Sequence, residues 1–150
     1  MTSPATRVPG EDPATACHAV LVEFLAAIDH GHASTALDLF TDDASFTARG
    51  QQLHGRDAIS EFLTVREAET GRQTVHLIAN ETQHTNDADE TVTLEAILVL
   101  VERNSAGKFV THRILETTQH FVPTAAGWRI TRRETAPFHP PTSPNAPVNG

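Results

Sequence analysis

The sequence predicts an α+β domain in which three N-terminal helices pack on one face of a strongly curved antiparallel sheet. Apolar residues recur with helical spacing as far as Gly71 and with strand spacing after it, and helices followed by a run of strands are typical of this class. The strand segments are separated by NDADE, NSAG and PTAAG, which are short and polar or glycine-containing, as hairpin connections require. Such a sheet can wrap around its helices and leave a pocket at its open end.

Three segments carry helix signals. The first begins after the capping residue Asp12, with proline at its first position, and ends at Gly31. Ser34 can cap a second short helix, TALDLF, and a third helix runs from Gly55 to Gly71. The first helix is amphipathic, because its apolar residues fall at positions i, i+3, i+4 and i+7, namely Leu21, Phe24, Leu25 and Ile28.

Strand patterns account for most of the remaining chain. The segment ASFTAR alternates between apolar and polar residues, and QQLHG after it turns the chain back. Four longer strands are predicted after Gly71, in TVHLIANETQH, TVTLEAILVLVER, KFVTHRILETTQHFV and GWRITRRETA. Their short connections predict an antiparallel meander.

The length of 150 residues suits one domain with a single core. We expect this domain to span residues 13–137. Residues 1–12 and 138–150 are expected to be disordered tails, since the C-terminal segment PFHPPTSPNAPVNG is rich in proline and has little to bury.

Charge and composition exclude several classes of protein. The net charge of −8 has the wrong sign for a nucleic-acid binder. The short basic cluster of Arg129, Arg132 and Arg133 is expected to be a solvated strand end. No apolar run is long enough to cross a membrane, and the N-terminus lacks the apolar core of a signal peptide, so we expect a cytoplasmic protein.

The sequence lacks the motifs of metal and cofactor sites. Cys17 is the only cysteine, which excludes an internal disulfide and a cysteine-rich zinc site. No HExxH, GxSxG, P-loop or GxGxxG pattern is present. We therefore expect no metal and no cofactor. Because the chain also has no tyrosine, any proton chemistry falls to His, Asp and Glu.

Asp29 and His76 are the residues best suited to proton transfer. Asp29 lies at the edge of the apolar stripe of the first helix, where partial desolvation would raise its pKa. Alternatively, it is a helix-terminal residue that simply reaches solvent. His76 opens the first long strand and is expected to share a face with Ile78 and Asn80. An acid and an imidazole held together in a pocket can move protons.

Glu95 is a second unusual acid, because it lies in the middle of TLEAILVLV, a strand that is apolar on both faces. Burying a carboxylate in such a run costs free energy, so we expect it to be paired with a cation or to have a functional role. Two interpretations stay open: Glu95 is a further acid in the pocket, or it neutralises an arginine such as Arg113.

The order of these elements resembles the SnoaL-like branch of the nuclear-transport-factor-two superfamily, which includes ketosteroid isomerase and scytalone dehydratase. The matching segments lie between residues 15 and 135 and read FLAAIDHGHASTALDLFTDDASF, LHGRDAISEFL, TVHLIAN and GWRITRRE. The resemblance implies a cone-shaped α+β barrel with a hydrophobic pocket, usually in a homodimer. It supports the fold better than any one reaction, because this fold hosts many functions.

The resemblance also implies roles for particular residues. Asp29 matches the acid that dehydratases of the family carry at the end of the first helix, and His76 matches a histidine that faces the cavity. The two would pair, with Asp29 orienting the imidazole while the imidazole exchanges protons with substrate. Phe24 stands where some of these dehydratases have a tyrosine. The hydroxyl donor of that tyrosine is therefore missing, and an apolar ligand is expected.

The sequence thus predicts a cofactor-independent lyase or isomerase of secondary metabolism, of the dehydratase, isomerase or cyclase type, acting on a polyketide-, terpene- or steroid-like molecule. Asp29 and His76 would be catalytic. Four residues would shape the pocket: Phe24, Phe46, Asn80 and Glu95. The alternative is a non-catalytic member of the same fold that binds a small molecule or a partner protein. A homodimer is expected, without nucleic-acid or membrane partners.

Overall fold

The helices and strands follow one another in the order that the periodicity predicts, and the α+β fold class is confirmed. The computed structural model describes residues 11–139. Its elements are α1 Pro13–Asp29, a 3₁₀ helix Ala33–Leu39, β1 Phe40–Ala48, β2 Gln51–His54, α2 Gly55–Ala68, β3 Thr74–Asn86, β4 Thr91–Arg103, β5 Phe109–Thr124 and β6 Gly127–Pro137. The predicted disorder of the tails concerns residues that lie almost entirely outside this described part.

Two boundaries differ from the sequence-based expectation. The second helix is a 3₁₀ helix that ends at Leu39, so Phe40 already belongs to β1. α2 ends at Ala68 instead of reaching Gly71, because Glu69 leaves the helical conformation with φ −77° and ψ 62°. The segment QQLH forms a short strand that pairs back on β1.

The six strands form one sheet in the order β2-β1-β6-β5-β4-β3. Strands β3 to β6 are the predicted antiparallel meander. β1, however, pairs with β6 in parallel, so the sheet is mixed instead of wholly antiparallel. Hairpin signals set the directions within the meander, but they carry no information on how a separate N-terminal strand joins its edge.

The core lies between the helices and the inner face of the sheet. Along β4 every second residue is buried, namely Val92, Leu94, Ala96, Leu98 and Leu100. α1 covers this face with its own apolar stripe of Ala16, Cys17, Val20, Leu21, Phe24 and Leu25. Fully burying one large apolar side chain stabilises the fold by about 1.5–3 kcal/mol, so this layer is the main source of stability.

Two β-bulges reverse the alternation of inner and outer residues. In β3, Asn80 and Glu81 together stand opposite the single residue Ala96, and Asn80 adopts a left-handed φ of 51°. In β6, Thr131 is an extra residue between two register pairs, so Ile130 and Arg133 are buried while Arg132 is exposed. An extra residue of this kind turns every later side chain to the opposite face.

The outer face of the sheet carries an apolar patch. Val75 and Leu77 of β3 are 41% and 51% exposed, and Ile114 of β5 is 47% exposed. Register pairs join them across β4 through Val99 and Val101. We call these five residues, together with Ile97 of β4, the outer-face patch. Within residues 11–139, no helix is long and apolar enough to cross a membrane.

The left-handed backbone at Asn80 should make the bulge sensitive to branched side chains. We expect Asn80→Val to be less stable than Asn80→Gly by about 1–2 kcal/mol, because a Cβ is disfavoured at this φ and glycine is not. Urea unfolding of both variants measures the difference. His84→Val, at an exposed position of the same strand, is the control and should stay close to wild type; equal stability of the two Asn80 variants would contradict the expectation.

Candidate functional site

A cavity of about 700 Å³ lies between the helices and the inner face of the sheet, a size that suits a drug-sized ligand. Its apolar lining consists mainly of Phe24, Ile28, Phe46, Phe62, Leu98, Leu100 and Leu115. Its charged and titratable lining consists of Arg49, Arg66, Arg72, His76, Glu102, His112, Arg113 and Arg133. The cavity therefore combines an apolar body with a mostly basic set of polar groups.

The structure brings Asp29 and His76 together, and His76 lines this cavity. Asp29 is the last residue of α1, and His76 is the third residue of β3. The Nδ1 atom of His76 lies 2.7 Å from Asp29 Oδ1, and the backbone N–H of His76 donates to Oδ2 at 2.8 Å. The Thr74 hydroxyl also donates to Oδ1, at 2.8 Å. Both side chains of the pair are mostly buried, with 12% of His76 and 14% of Asp29 exposed.

The pKa of Asp29 is lowered, so the expectation of a raised pKa is wrong. Burial by itself would raise this pKa, but the hydrogen bonds from His76 and Thr74 and the charge of His76 together outweigh burial and hold it below its ordinary value. Asp29 is therefore a carboxylate at neutral pH. It accepts the Nδ1 proton of His76, which leaves Nε2 as the ring nitrogen that Asp29 does not engage.

Sequence reasoning missed Thr74 and Arg66, which continue the network. Arg66 donates from Nη2 to the Thr74 hydroxyl oxygen at 3.1 Å, and both residues are buried. Since that oxygen accepts from Arg66, its own proton is directed to Asp29. The spacing of Arg66 could have indicated its role. It lies seven residues after Ile59 and four after Phe62, which places it on the apolar stripe of α2. An arginine on a buried stripe needs a partner.

Phe24 and Phe46 both line the cavity. Their ring centroids are 6.1 Å apart, and Phe46 also lies 5.0 Å from Phe62. Aromatic pairs at such distances hold one another in place. These rings form an apolar wall of the cavity.

Asn80 and Glu95 do not lie in the cavity, contrary to expectation. Asn80 is exposed because the bulge in β3 turns it outward, so it does not share the face of His76. Glu95 is exposed on the outer face of β4. Arg113 lies on the inner side, opposite the buried Leu100, so Glu95 does not neutralise it. The expectations for both residues are therefore corrected.

Arg133 is buried, contrary to the expectation of a solvated strand end. Only 4% of it is exposed, and its guanidinium carbon lies 4.5 Å from the ring centroid of Phe24 and 5.1 Å from that of Phe46. Burial lowers its pKa to about 9, so it is still charged at neutral pH. The bulge at Thr131 is the reason, because it turns Arg133 inward and Arg132 outward.

The part of the chain that the structure describes contains no cluster of three or more His, Cys, Asp or Glu residues that could hold a metal ion.

The lowered pKa of Asp29 predicts how stability depends on pH. A group whose pKa is lower in the folded than in the unfolded state stabilises the protein at pH values above its pKa in the unfolded state, which is about 4 for Asp. This stabilisation is lost as the pH falls through the pKa of the folded state. Asp29→Asn should therefore lower the free energy of unfolding by about 1–3 kcal/mol at pH 7. The difference from wild type should shrink below about pH 4.

Urea unfolding from pH 2 to 7 measures this difference. The control is Asp87→Asn, which changes an exposed carboxylate in the β3–β4 connection and should have little effect at any pH. A difference between Asp29→Asn and wild type that stays constant down to pH 2 would contradict the prediction.

Solved structures share this fold. A nuclear-transport-factor-two-like protein with a cystatin-like fold from Novosphingobium aromaticivorans is 24% identical, with a TM-score of 0.74 over 85% of this chain and 83% of that one. Aln2 from a Streptomyces species is 17% identical, with a TM-score of 0.74 over 87% and 94%. ActVI-ORFA from Streptomyces coelicolor is 14% identical, with a TM-score of 0.73 over 85% and 99%. At these identities the likeness shows the fold alone.

No protein with curated annotation matches the chain. Residues 13–134, in contrast, match the family model described as the SnoaL-like domain. That range covers most of the chain and includes both Asp29 and His76. The predicted membership is confirmed: this protein belongs to the SnoaL-like family.

Proposed function

We propose that this protein is a cofactor-independent lyase or isomerase that moves a proton on an apolar small molecule, with His76 as its acid–base group. The observation that carries the proposal is the 2.7 Å contact between Asp29 Oδ1 and Nδ1 of His76, a histidine that lines the cavity. A histidine oriented through one ring nitrogen by a carboxylate presents the other nitrogen as a proton acceptor.

The reaction follows from this arrangement. In its neutral form, with the proton on Nδ1, His76 takes a proton from a substrate carbon or oxygen through Nε2 and becomes an imidazolium. Asp29 stabilises that cation, because a carboxylate favours the charged form of a neighbouring histidine. The imidazolium then returns the proton to another substrate atom, in an isomerisation, or to a departing hydroxyl, in a dehydration.

The cavity walls support an apolar substrate. Phe24 and Phe46 form a continuous aromatic wall with Phe62. Phe24 offers no hydrogen-bond donor. Membership in the SnoaL-like family is consistent with the processing of small molecules. We therefore propose a polyketide-, terpene- or steroid-like substrate of secondary metabolism.

One observation favours a second function, a binding module without catalysis. Asp29 accepts from the backbone N–H of His76 as well as from its ring. A carboxylate placed only to tie α1 to β3 would make the same contacts. The cavity would then bind its ligand without changing it.

Proton transfer can be measured without knowing the natural product. We suggest incubating wild type in D₂O with a panel of polycyclic ketones and hydroxyketones, including 2-tetralone, and following deuterium uptake and loss of water by mass spectrometry. His76→Ala and Asp29→Asn should each lower the rate about 10²–10⁴-fold. The double variant should lose far less than the product of the two, because residues that act as a unit are not additive.

The matched control is His84→Ala, which removes an exposed histidine from the same strand and should keep wild-type rates. Full turnover by His76→Ala would end the proposal. Ligands that bind without exchange or loss of water would favour the binding module.

We also propose a homodimer that buries the outer-face patch. The patch is contiguous across β3, β4 and β5, and exposed apolar patches of this kind mark interaction sites. A second copy related by a twofold axis would cover the patch, because a twofold interface brings the same patch of both copies together.

Light scattering after size exclusion should give twice the chain mass of 16.3 kDa. Leu77→Lys should give the mass of one chain, because it places a charge within the patch. Val65→Lys on α2, where Val65 is 57% exposed, is the control and should stay dimeric. A wild-type mass of one chain would refute the dimer.

A further inference from the structure

The charge of the cavity is opposite to the charge of the protein. The chain has a net charge of −8, yet five of its ten arginines line this one cavity. They are Arg49, Arg66, Arg72, Arg113 and Arg133. Among the lining residues that the structure describes, Glu102 is the only carboxylate. The lining therefore has an excess of positive charge.

Several of these arginines have protein partners. Arg72 donates from Nε to Glu102 at 3.3 Å and lies 3.6 Å from Glu69. Arg49 lies 3.9 Å from Glu69, and Arg66 donates to Thr74. Their charges or donors are thus at least partly compensated within the protein.

Arg133 is less well compensated. It donates from Nη1 to Thr135 at 2.8 Å, but its Nε is buried without a hydrogen-bond partner in the described part of the chain. The neighbouring Glu134 forms its ion pair with Arg132. A buried charge is costly unless it is paired and hydrogen-bonded, and the rings of Phe24 and Phe46 offset only part of that cost.

The residue beside Arg133 on the neighbouring strand has the opposite deficiency, an acceptor without a donor. Gln119 is the register partner of Arg133 on β5, and it is fully buried. Its amide nitrogen donates to Thr117 at 2.8 Å, while its Oε1 is buried without a partner among residues 11–139. Unsatisfied polar atoms are rare in protein interiors. The Gln119 oxygen needs a donor, which a carboxylate cannot supply, and Gln119 does not line the cavity. Of the two, only Arg133 lines the cavity and can bind an anion.

We infer that Arg133 is the anion-binding residue of the cavity, and that the ligand carries a carboxylate at the end that lies against Phe24 and Phe46. The guanidinium offers a planar fork of N–H donors that matches a carboxylate. This inference rests on the proposed function for its cavity, but it does not depend on catalysis. It narrows the substrate to an apolar acid whose charged end binds Arg133 while another part reaches His76.

The test compares 2-naphthoate with naphthalene-2-carboxamide by titration calorimetry. The two probes share one ring system and differ in charge. Wild type should bind the carboxylate about tenfold more tightly or better, the usual effect of a charged hydrogen bond. Arg133→Met keeps an unbranched apolar stem but removes the guanidinium, so it should bind the amide as wild type does and lose the preference for the anion. Arg132→Met, at the exposed neighbouring position, is the control and should keep the preference.

Equal binding of the two probes by wild type, or failure of both to bind at millimolar concentration, overturns the inference. So does an anion preference that survives Arg133→Met, because another arginine would then be responsible. If Arg133→Met does not fold, Arg133→Lys provides the second variant. It keeps the charge without the fork, so the preference for the anion should shrink, and an unchanged preference would overturn the inference.

His76→Ala separates this inference from the proposed function. It should keep the anion preference, because it leaves Arg133 in place. An anion preference together with turnover that does not depend on His76 would contradict only the proposed function. Turnover that depends on His76, without any anion preference, would contradict only this inference.

Discussion

Three hydrogen bonds to the carboxylate of Asp29 join the end of α1 to the start of β3, and the site depends on this connection. They bring together segments that are 47 residues apart in the chain. Both carboxylate oxygens are used, so the side chain has little freedom to rotate. The imidazole of His76 is consequently held in one orientation at the cavity wall. A site built in this way is preorganised, since its groups need not move when charge develops on a substrate.

The elements of the fold could be predicted from the sequence because helical and strand periodicity are local properties. The exact pairing of strands could not, since nothing within ASFTAR indicates that β1 runs parallel to β6. The pairing of Asp29 with His76 was expected from a family resemblance and not from their spacing. Arg66, by contrast, was accessible to spacing alone, because it occupies the apolar stripe of α2.

The errors at Asn80 and Arg133 have one cause. Each follows from a single extra residue in a strand. Because strand side chains alternate with a period of two residues, one inserted residue turns every later side chain to the opposite face. Asn80 was assigned to the face of His76 and turned out to be exposed, while Arg133 was assigned to solvent and is buried. For Glu95 the cause is different: both faces of β4 are apolar, so the pattern did not show which one faces the helices.

The extra residue at Thr131 also bears on how this strand can change during evolution. If β6 kept all its residues but lost the bulge, simple alternation from Ile130 would turn position 132 inward in place of position 133. Because both positions carry arginine, a guanidinium would reach the cavity in either register. The adjacent pair thus makes the charge inside the protein insensitive to a one-residue shift in the register of this strand.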